Sequence, residues 1–274
     1  MITRRQFCGL LAVPALAGLY SWRIEPTWEE YVRRQMPIRG LPLAWAGRTL
    51  LQLSDLHVGD RVSDDYLVRV FATVARLRPD LVAYTGDFIS YAGPRTLEQF
   101  RRLADRLPRG RSGTVAVLGN HDYGAAWREG EVADAVALIL AEVGVVVLRN
   151  TAVAVQGLRI GGMDDLWAGR AHGGDWLTGA NAPALVLCHN PDACDQSGWD
   201  GFSGWILAGH THGGQCRPPF LPPPLLPVKN RRYTAGEFAL SGGRKLYINR
   251  GLGHLTRVRF NVRPEVTIFE LRGR

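Results

Sequence analysis

The sequence predicts an α/β protein, and two patterns carry this prediction. Over the first half of the chain, short apolar runs typical of buried strands alternate with amphipathic segments of helical spacing. Several of the apolar runs are followed within two residues by Asp, Asn or His. Open α/β sheets bind ligands at the carboxyl ends of their strands, so these polar residues are candidates for a functional site. With 274 residues and 46% hydrophobic content, the chain is long enough to bury one large core.

The N-terminal segment resembles an export leader or a membrane anchor. Arg4-Arg5 lies just before an uncharged stretch over residues 7–22, with Ala15-Leu16-Ala17 as a candidate cleavage site. The stretch is shorter than the ~20 residues of a membrane span and contains a proline, which favours a twin-arginine-type signal. A buried N-terminal helix is the alternative. We therefore expect residues 1–22 to send the protein to the cell envelope (periplasm), or to anchor it at the cytoplasmic face.

The overall charge favours an anionic partner. The formal net charge is +8 and the pI is about 9.7, which suits phosphate esters, nucleic acid or a lipid surface. All but two of the 33 basic residues are arginine and no dense basic run occurs, so no nucleic-acid partner is expected. The four cysteines form no CxxC pair, and Cys188 and Cys216 are interpreted as packing residues.

The chain divides into a short lead-in and a main domain. Residues 23–44 are predicted to form a juxtamembrane segment and a first strand, with Trp28 and Tyr31 spaced for a helical or interfacial face. The main domain is expected over 45–274. Its first half is predicted to contain strands at 48–53, 81–84 and 115–118 and helices at 66–77, 96–107 and 132–143. The parallel connections that this order implies are right-handed.

The second half is predicted to be rich in strands and loops. Apolar runs predict strands at 145–148, 152–155, 158–160, 184–188, 204–208, 246–251 and 265–271. Asp164 and Asp165 are expected in a solvated loop, with the alternative that they shape the site from behind its ligands. His172 is expected at the surface, on a mobile, glycine-rich rim over residues 168–180. Six prolines in residues 218–227 exclude a helix or central strand there. This proline-rich loop is apolar with a basic border, which fits either lipid contact or a rigid spacer packed on the protein.

Carboxylate, amide and imidazole side chains recur at the predicted strand ends. Asp55 and His57 lie two residues apart, so that on an extended segment both point to the same side. His210 and His212 repeat this spacing. The remaining candidates are, in chain order, Asp87, Asn120, His121, Asp122 and His189. Such mixed ligands suit two divalent ions such as Mn, Fe or Zn, and the sequence leaves the identity of the ions open.

In this order, the segments resemble those of the calcineurin-like metallophosphoesterases: Asp55-x-His57, Gly86-Asp87, Gly119-Asn120-His121-Asp122, His189 and Gly209-His210-x-His212. The resemblance implies a two-sheet β-sandwich flanked by α-helices. It also implies two metal ions that activate a water for in-line attack on phosphorus.

The resemblance further implies a role for each residue. Asp55, His57 and His212 would bind the first metal, Asp87 would bridge both, and Asn120, His189 and His210 would bind the second. His121 would protonate the leaving oxygen as general acid, oriented by Asp122. Because none of the expected ligands is missing, a non-catalytic metal-binding scaffold is the disfavoured alternative.

A finer resemblance concerns the substrate. Residues 209–215, the proline-rich loop and Asn249-Arg250-Gly251 resemble a membrane-associated bacterial subgroup that includes UDP-2,3-diacylglucosamine pyrophosphatases of lipid A synthesis. This implies a lipid-linked substrate and a membrane partner, with Arg250 either contacting phosphate or in a surface ion pair. That reaction takes place on the cytoplasmic face, whereas an export signal would place the domain on the other side of the membrane. The two agree if Arg4-Arg5 is instead the cytoplasmic positive flank of a membrane anchor. A phosphodiesterase for soluble substrates such as cyclic nucleotides is the alternative, and the oligomeric state is not indicated.

Overall fold

The computed structural model describes residues 4–177, 179 and 182–273, with side chains from residue 12 onward. Sheet 1 is formed by β1 (Glu30–Ile38), β2 (Thr49–Leu53), β3 (Leu81–Thr85), β4 (Gly113–Val117), β5 (Val146–Val147) and β12 (Glu265–Gly273), in the order β1-β12-β2-β3-β4-β5. Sheet 2 is formed by β6 (Thr151–Val155), β7 (Leu158–Gly162), β8 (Leu185–Leu187), β9 (Trp205–Ala208), β10 (Gly236–Ala239) and β11 (Lys245–Ile248), in the order β10-β11-β9-β8-β7-β6. The predicted two-sheet fold is confirmed.

Three helices cover the outer face of sheet 1: α2 (Asp64–Arg76), α3 (Pro94–Ala104) and α4 (Gly130–Glu142). In α2, Leu67, Val70, Phe71 and Val74 are buried at helical spacing against the sheet. Helix α3 begins at Pro94, whose fixed φ suits the first helical position. The three predicted helices of the main domain are therefore present, each beginning two residues and ending one to three residues earlier than predicted.

The strands that lead to the candidate site are buried on both faces. Along β3, Leu81 and Ala83 face the core between the sheets, while Val82 and Tyr84 face the helices. Neighbours β2, β3 and β4 run parallel, as do β7, β8 and β9. Continuous apolar strands are typical of such parallel arrangements. Within each set the carboxyl ends therefore lie at one edge.

The lead-in contains a strand, as predicted: β1 pairs in parallel with β12 along its whole length. Tyr31 lies in this strand rather than on a helical face. The preceding Glu25 is fully buried, and its carboxylate accepts hydrogen bonds from the backbone N–H groups of Asn261 (3.0 Å) and Val262 (2.5 Å). Residues 25–38 are thus fastened to the C-terminal part of the chain. Strand β10 was not predicted.

Residues of the predicted leader form a helix, α1 (Arg4–Leu19). Its described apolar side chains Val13, Leu16 and Leu19 are exposed, so the alternative of a buried N-terminal helix is wrong for this part. Residues 1–3 of the predicted leader lie outside the described residues, as do positions 178 and 180 of the glycine-rich rim. Within the described part of that rim, His172 is exposed, as predicted. Among the helices that the structure describes, none combines the length and apolarity needed to cross a membrane.

Candidate metal centre

Seven candidate ligand side chains converge where strands of the two sheets end. Asp55 and His57 follow β2, Asp87 follows β3 and Asn120 follows β4, whereas His189 follows β8 and His210 and His212 follow β9. All seven are buried. Residues that are far apart in the sequence are thus brought into one polar pocket inside an apolar sandwich.

The side chains form two adjoining groups. In the first group, Nε2 of His212 lies 3.0 Å from Nε2 of His57 and 3.2 Å from Oδ1 of Asp55. In the second, Nε2 of His189 lies 3.1 Å from both Oδ2 of Asp87 and Nδ1 of His210. The ligand atoms within each group all lie within 4.8 Å of one another. Oδ2 of Asp87 is also 3.6 Å from Nε2 of His57, which joins the two groups.

The backbone at the site is left-handed rather than extended. Asp55, His57, Asp87, His210 and His212 have φ values between 50° and 71°. The extended geometry predicted for Asp55-x-His57 and His210-x-His212 is therefore wrong, and the side chains converge through successive tight turns. Non-glycine residues in this conformation cost of order 1–3 kcal/mol each, and such strain concentrates at functional sites. Backbone hydrogen bonds hold the turns, including Asp55 N–H to Gly86 O at 2.9 Å.

Gly86 marks the closest backbone approach at the site. Its φ is +89°, and a Cβ atom there would lie 2.6 Å from the backbone N of Gly119 and 2.7 Å from Nδ1 of His189. Any side chain would push these groups apart. The glycine next to Asp87 is therefore a requirement of the geometry around the second group.

Three of the histidines are oriented from outside the site. Nδ1 of His189 donates to the carbonyl of Thr85 at 2.7 Å, and Nε2 of His210 donates to the carbonyl of Pro227 at 2.8 Å. Nδ1 of His57 lies 3.0 Å from Oγ of Ser90. Because a carbonyl only accepts, the other ring nitrogen of His189 and of His210 is the one that would bind a metal when the ring is neutral.

Burial and mutual charge set the protonation of the site. Burial lowers the pKa of His57 well below its usual value and that of His210 to about 3, so both rings are neutral at pH 7. Burial would raise the pKa of Asp87, but His189 and His121 outweigh it and hold that pKa well below its usual range. Conversely, the carboxylate of Asp87 overcomes the effect of burial and raises the pKa of His189. Coordination of a metal by Nε2 of His189 would require loss of the proton that this carboxylate stabilises.

The residues present fit two divalent cations. The amide of Asn120 is fully buried, and neither of its polar atoms has a hydrogen-bond partner within the described part of the chain. Leaving such a group unpaired costs about 1–3 kcal/mol. Each nitrogen–nitrogen contact within the two groups also requires either a proton or a cation between the rings. Carboxylate, imidazole and amide donors together suit Mn, Fe or Zn, and the geometry does not select among them.

His121 and Asp122 lie on the short helical turn Asn120–Tyr123 beside the two groups. The His121 ring is half-buried, with its centroid 5.1 Å from that of His57. Within the described part of the chain, the Asp122 carboxylate makes no hydrogen bond to the His121 imidazole, although the resemblance implied one. Both carboxylate oxygens of Asp122 instead accept backbone N–H groups, from Gly119 at 2.9 Å and Ile89 at 3.1 Å. Burial, together with the charge of Asp87, raises the pKa of Asp122 to about 8. Asp122 therefore holds the loop rather than the ring.

Arg250 takes the ion-pair role that the sequence left open. Its guanidinium is hydrogen-bonded to the carboxylates of Glu265, at 2.5 Å, and Glu30, at 2.8 Å. The interaction ties β1 to β12 instead of facing the metal groups. Sequence reasoning missed Arg259, a fully buried arginine that donates to the carbonyls of Gly251 and Gly253.

The predicted solvated loop at Asp164 and Asp165 is wrong, since both are buried. Asp164 is paired with Arg149 at 3.0 Å and accepts the Tyr123 hydroxyl. Asp165 accepts the backbone N–H of Ala168 at 2.7 Å, and burial raises its pKa to about 6. These carboxylates fix the turn that follows β7.

An apolar cleft of about 360 Å³ opens onto the site. Its floor includes Asp87, Asn120, His121, His210 and His212. It is also lined by the apolar side chains of Trp127, Trp167, Leu225, Pro227 and Leu255. The two tryptophans were not predicted as site residues because each lies in a loop without a recognisable motif. Any molecule that reaches the candidate ligands must therefore pass apolar side chains.

The two-sheet fold and its paired Asp/His groups define a metal-dependent phosphoester hydrolase. The sequence pattern of the calcineurin-like phosphoesterases matches residues 48–214, and the chain belongs to that family. It is 32% identical to "Phosphodiesterase YaeI" of Escherichia coli, over 99% of this chain and all of the relative. It is 31% identical to "Uncharacterized metallophosphoesterase YkuE" of Bacillus subtilis, over 99% and 98%. Identity to "UDP-2,3-diacylglucosamine pyrophosphatase LpxG" of Chlamydia trachomatis is 27%, over 94% of both chains.

Proposed function

We propose that the protein hydrolyses a phosphodiester or pyrophosphate bond at the candidate metal centre. Asp55, His57 and His212 would hold the first divalent ion, Asn120, His189 and His210 the second, and Asp87 would bridge both. When bound, the ions supply Lewis-acid stabilisation of the phosphoryl group and an activated water. The shared position of Asp87 Oδ2, near both His57 and His189, supports its bridging role.

His121 is the proposed proton donor to the leaving oxygen. Its ring is half-buried and lines the cleft, whereas the candidate ligand side chains beside it are buried. Its backbone N–H is fixed by Asp87 Oδ1 at 2.9 Å, so the ring is held beside the phosphoryl position. General acid catalysis of this kind contributes about 10²–10⁴-fold to the rate.

The proposed substrate is lipid-linked, with UDP-2,3-diacylglucosamine as the candidate. The observation that carries this proposal is the exposure of Phe220, Leu221 and Leu225 in the proline-rich loop, where Leu225 also lines the cleft. Exposed apolar residues clustered around a binding cleft are typical of a surface that contacts an apolar partner. The relative named as a UDP-2,3-diacylglucosamine pyrophosphatase supports the same substrate.

A membrane surface is the proposed partner. The loop is bordered by exposed Arg217, Lys229, Arg232 and Arg257, whose charge suits anionic headgroups. The end of the N-terminal helical region lies nearby, because the N–H of Arg259 donates to the carbonyl of Ser21 at 2.9 Å and that of Arg217 to Phe260 at 2.8 Å. We propose that the leader and the loop contact the same membrane, in the cell envelope or, alternatively, at the cytoplasmic face.

Hydrolysis assays test this function directly. Bis(p-nitrophenyl) phosphate and UDP-2,3-diacylglucosamine are compared in detergent, first with Mn²⁺ and then with chelator. We expect chelator-sensitive turnover of both, with the higher kcat/KM for the lipid nucleotide. Turnover of the small diester alone would retain the phosphoesterase and overturn the lipid-linked substrate. No turnover of either would overturn the catalytic assignment.

A phosphodiesterase for soluble substrates is the second candidate, favoured by the similarity to the relative named as a phosphodiesterase over almost the whole chain. For such an enzyme, cyclic nucleotides would be cleaved at rates that vesicles do not change. A rate that rises when the acylated substrate is presented in anionic vesicles would contradict it.

A further inference from the structure

We infer that Trp127 and Trp167 form one wall of a slot that binds an acyl chain of the substrate beside the reacting phosphoryl group. The inference rests on the proposed function and deepens it by naming the residues that select the substrate. Neither tryptophan belongs to the motifs that identify the family.

The tryptophan pair spans the mouth of the site. The rings of Trp127 and Trp167 are stacked, with centroids 5.1 Å apart and planes at 26°. Trp127 packs edge-on against His121 at 5.5 Å, and Trp167 packs edge-on against His210 at 4.4 Å. The pair therefore reaches from the proposed acid to a proposed ligand of the second ion. A group that lies against this wall would therefore be close to the phosphoryl group that the centre is proposed to bind.

Both rings are held in place by their loops. Trp127 has a φ of 60°, a conformation that is rare for a bulky residue, and its N–H donates to Gly124 O at 3.2 Å. Trp167 lies in the turn fixed by Asp165, whose carbonyl accepts the N–H groups of Arg170 and Ala171, both at 3.0 Å. Side chains that are already ordered before the ligand binds lose little conformational entropy on binding, which favours affinity.

The remaining surfaces of the slot suit a chain rather than a nucleobase. Leu225, Pro227 and Leu255 line the same cleft as the tryptophans, and Leu225 belongs to the proline-rich loop that also carries the exposed Phe220 and Leu221. Two polar side chains of the lining are engaged within the protein: Gln215 Nε2 donates to the carbonyls of Thr256 and Val258 at 3.1 Å, and Thr211 donates to the carbonyl of Thr234. A mainly apolar lining covers methylene groups and offers a base few directional partners.

Alkylphosphonates test the slot independently of turnover. Methyl-, butyl- and octylphosphonate, below their micelle concentrations, are titrated by calorimetry into the Mn²⁺-loaded full chain and assayed as inhibitors of bis(p-nitrophenyl) phosphate hydrolysis. A buried methylene contributes up to about fourfold in affinity. We expect octylphosphonate to bind on the order of 10²-fold more tightly than methylphosphonate. In Trp167→Ala the gain should fall below about tenfold, while methylphosphonate affinity changes less than threefold.

Controls separate the possible outcomes. Trp167→Phe should recover part of the chain-length gain, and Trp28→Ala, a truncation at a half-exposed position outside the slot, should retain all of it. Equal affinity for methyl- and octylphosphonate would overturn the slot while leaving the phosphoesterase intact. Selective loss of phenylphosphonate binding in Trp167→Ala, with no chain-length effect, would overturn the acyl chain in favour of an aromatic ligand. Failure of every phosphonate to bind would overturn the proposed function itself.

Discussion

Asp87 Oδ1 accepts a 2.9 Å hydrogen bond from the backbone N–H of His121. The other oxygen of the same carboxylate lies 3.1 Å from His189 and 3.6 Å from His57. One side chain therefore joins the two metal groups and also places the loop of the proposed acid. Removal of the Asp87 carboxylate is therefore expected to impair both metal binding and the placement of His121.

For Asp87→Ala we expect loss of bound metal and of turnover, by at least about 10²-fold, because the shared ligand and the contact with His121 both disappear. Asp87→Asn keeps an oxygen for the His121 N–H and removes only the charge. It should lose metal but preserve the loop. Metal analysis by mass spectrometry and steady-state rates check this, and near-normal metal content with normal turnover in Asp87→Ala would contradict it.

For His121→Ala we expect retained metal and a kcat lowered by about 10²–10⁴-fold, since proton donation alone is removed. The decrease should be larger for an alkoxide leaving group than for p-nitrophenolate, which needs little protonation. Metal content is measured on the same samples. Loss of metal would show that His121 is a ligand instead.

Chelation should lower the thermal stability of the protein, because polar groups buried for metal binding then lose their partners. Ions present at 100 times their Kd add about 2.7 kcal/mol, which corresponds to a Tm shift of roughly 5–10 °C for a domain of this size. Differential scanning calorimetry with and without chelator checks this. Asp87→Ala should show no such shift, and a chelator-independent Tm in the wild type would count against a resident metal centre.

Phe220→Ser and Leu221→Ser together should weaken binding to anionic vesicles by at least about tenfold, because two exposed apolar side chains no longer enter the interface. Leu43→Ser, at a position 93% exposed outside the proline-rich loop, is the matched control and should bind normally. Vesicle co-sedimentation at low and high salt measures the effect. Equal weakening by all three changes would argue against a specific loop surface.

Arg250→Ala should lower the free energy of unfolding by roughly 1–3 kcal/mol, because the buried Glu265 loses its charged partner. Its KM for a small diester should stay within about twofold. Urea unfolding and steady-state kinetics test the two expectations separately. A KM raised tenfold with unchanged stability would restore Arg250 as a phosphate contact.

The sequence was sufficient to predict most strands of the main domain and to place the candidate ligands after them. Buried parallel strands leave a strong apolar signal, and Asp87 or His189 stands out because it follows such a run. The predicted helix boundaries differ from the observed ones by a few residues, because capping and packing set the helix ends. The strand β1 was less visible, since its pairing with β12 depends on residues at the other end of the chain.

The local geometry of the site was not predictable from residue spacing. The pattern Asp55-x-His57 suggested an extended segment, whereas tertiary hydrogen bonds hold both residues at positive φ. Asp122 was assigned to His121 by resemblance, although its carboxylate is occupied by two backbone N–H groups. Trp127 and Trp167 have no motif, because their stacking arises only when two separate loops meet.

The link between Glu25 and Asn261 joins residues 236 positions apart, and the β1–β12 pairing closes the same region. During synthesis, the strands that carry Asp55, Asp87 and Asn120 emerge long before residue 261. The lead-in therefore has no docking surface until translation has passed β12. Contacts between residues so far apart in the sequence form late in folding, so closure of the lead-in is expected to follow assembly of the strands that carry the candidate ligands.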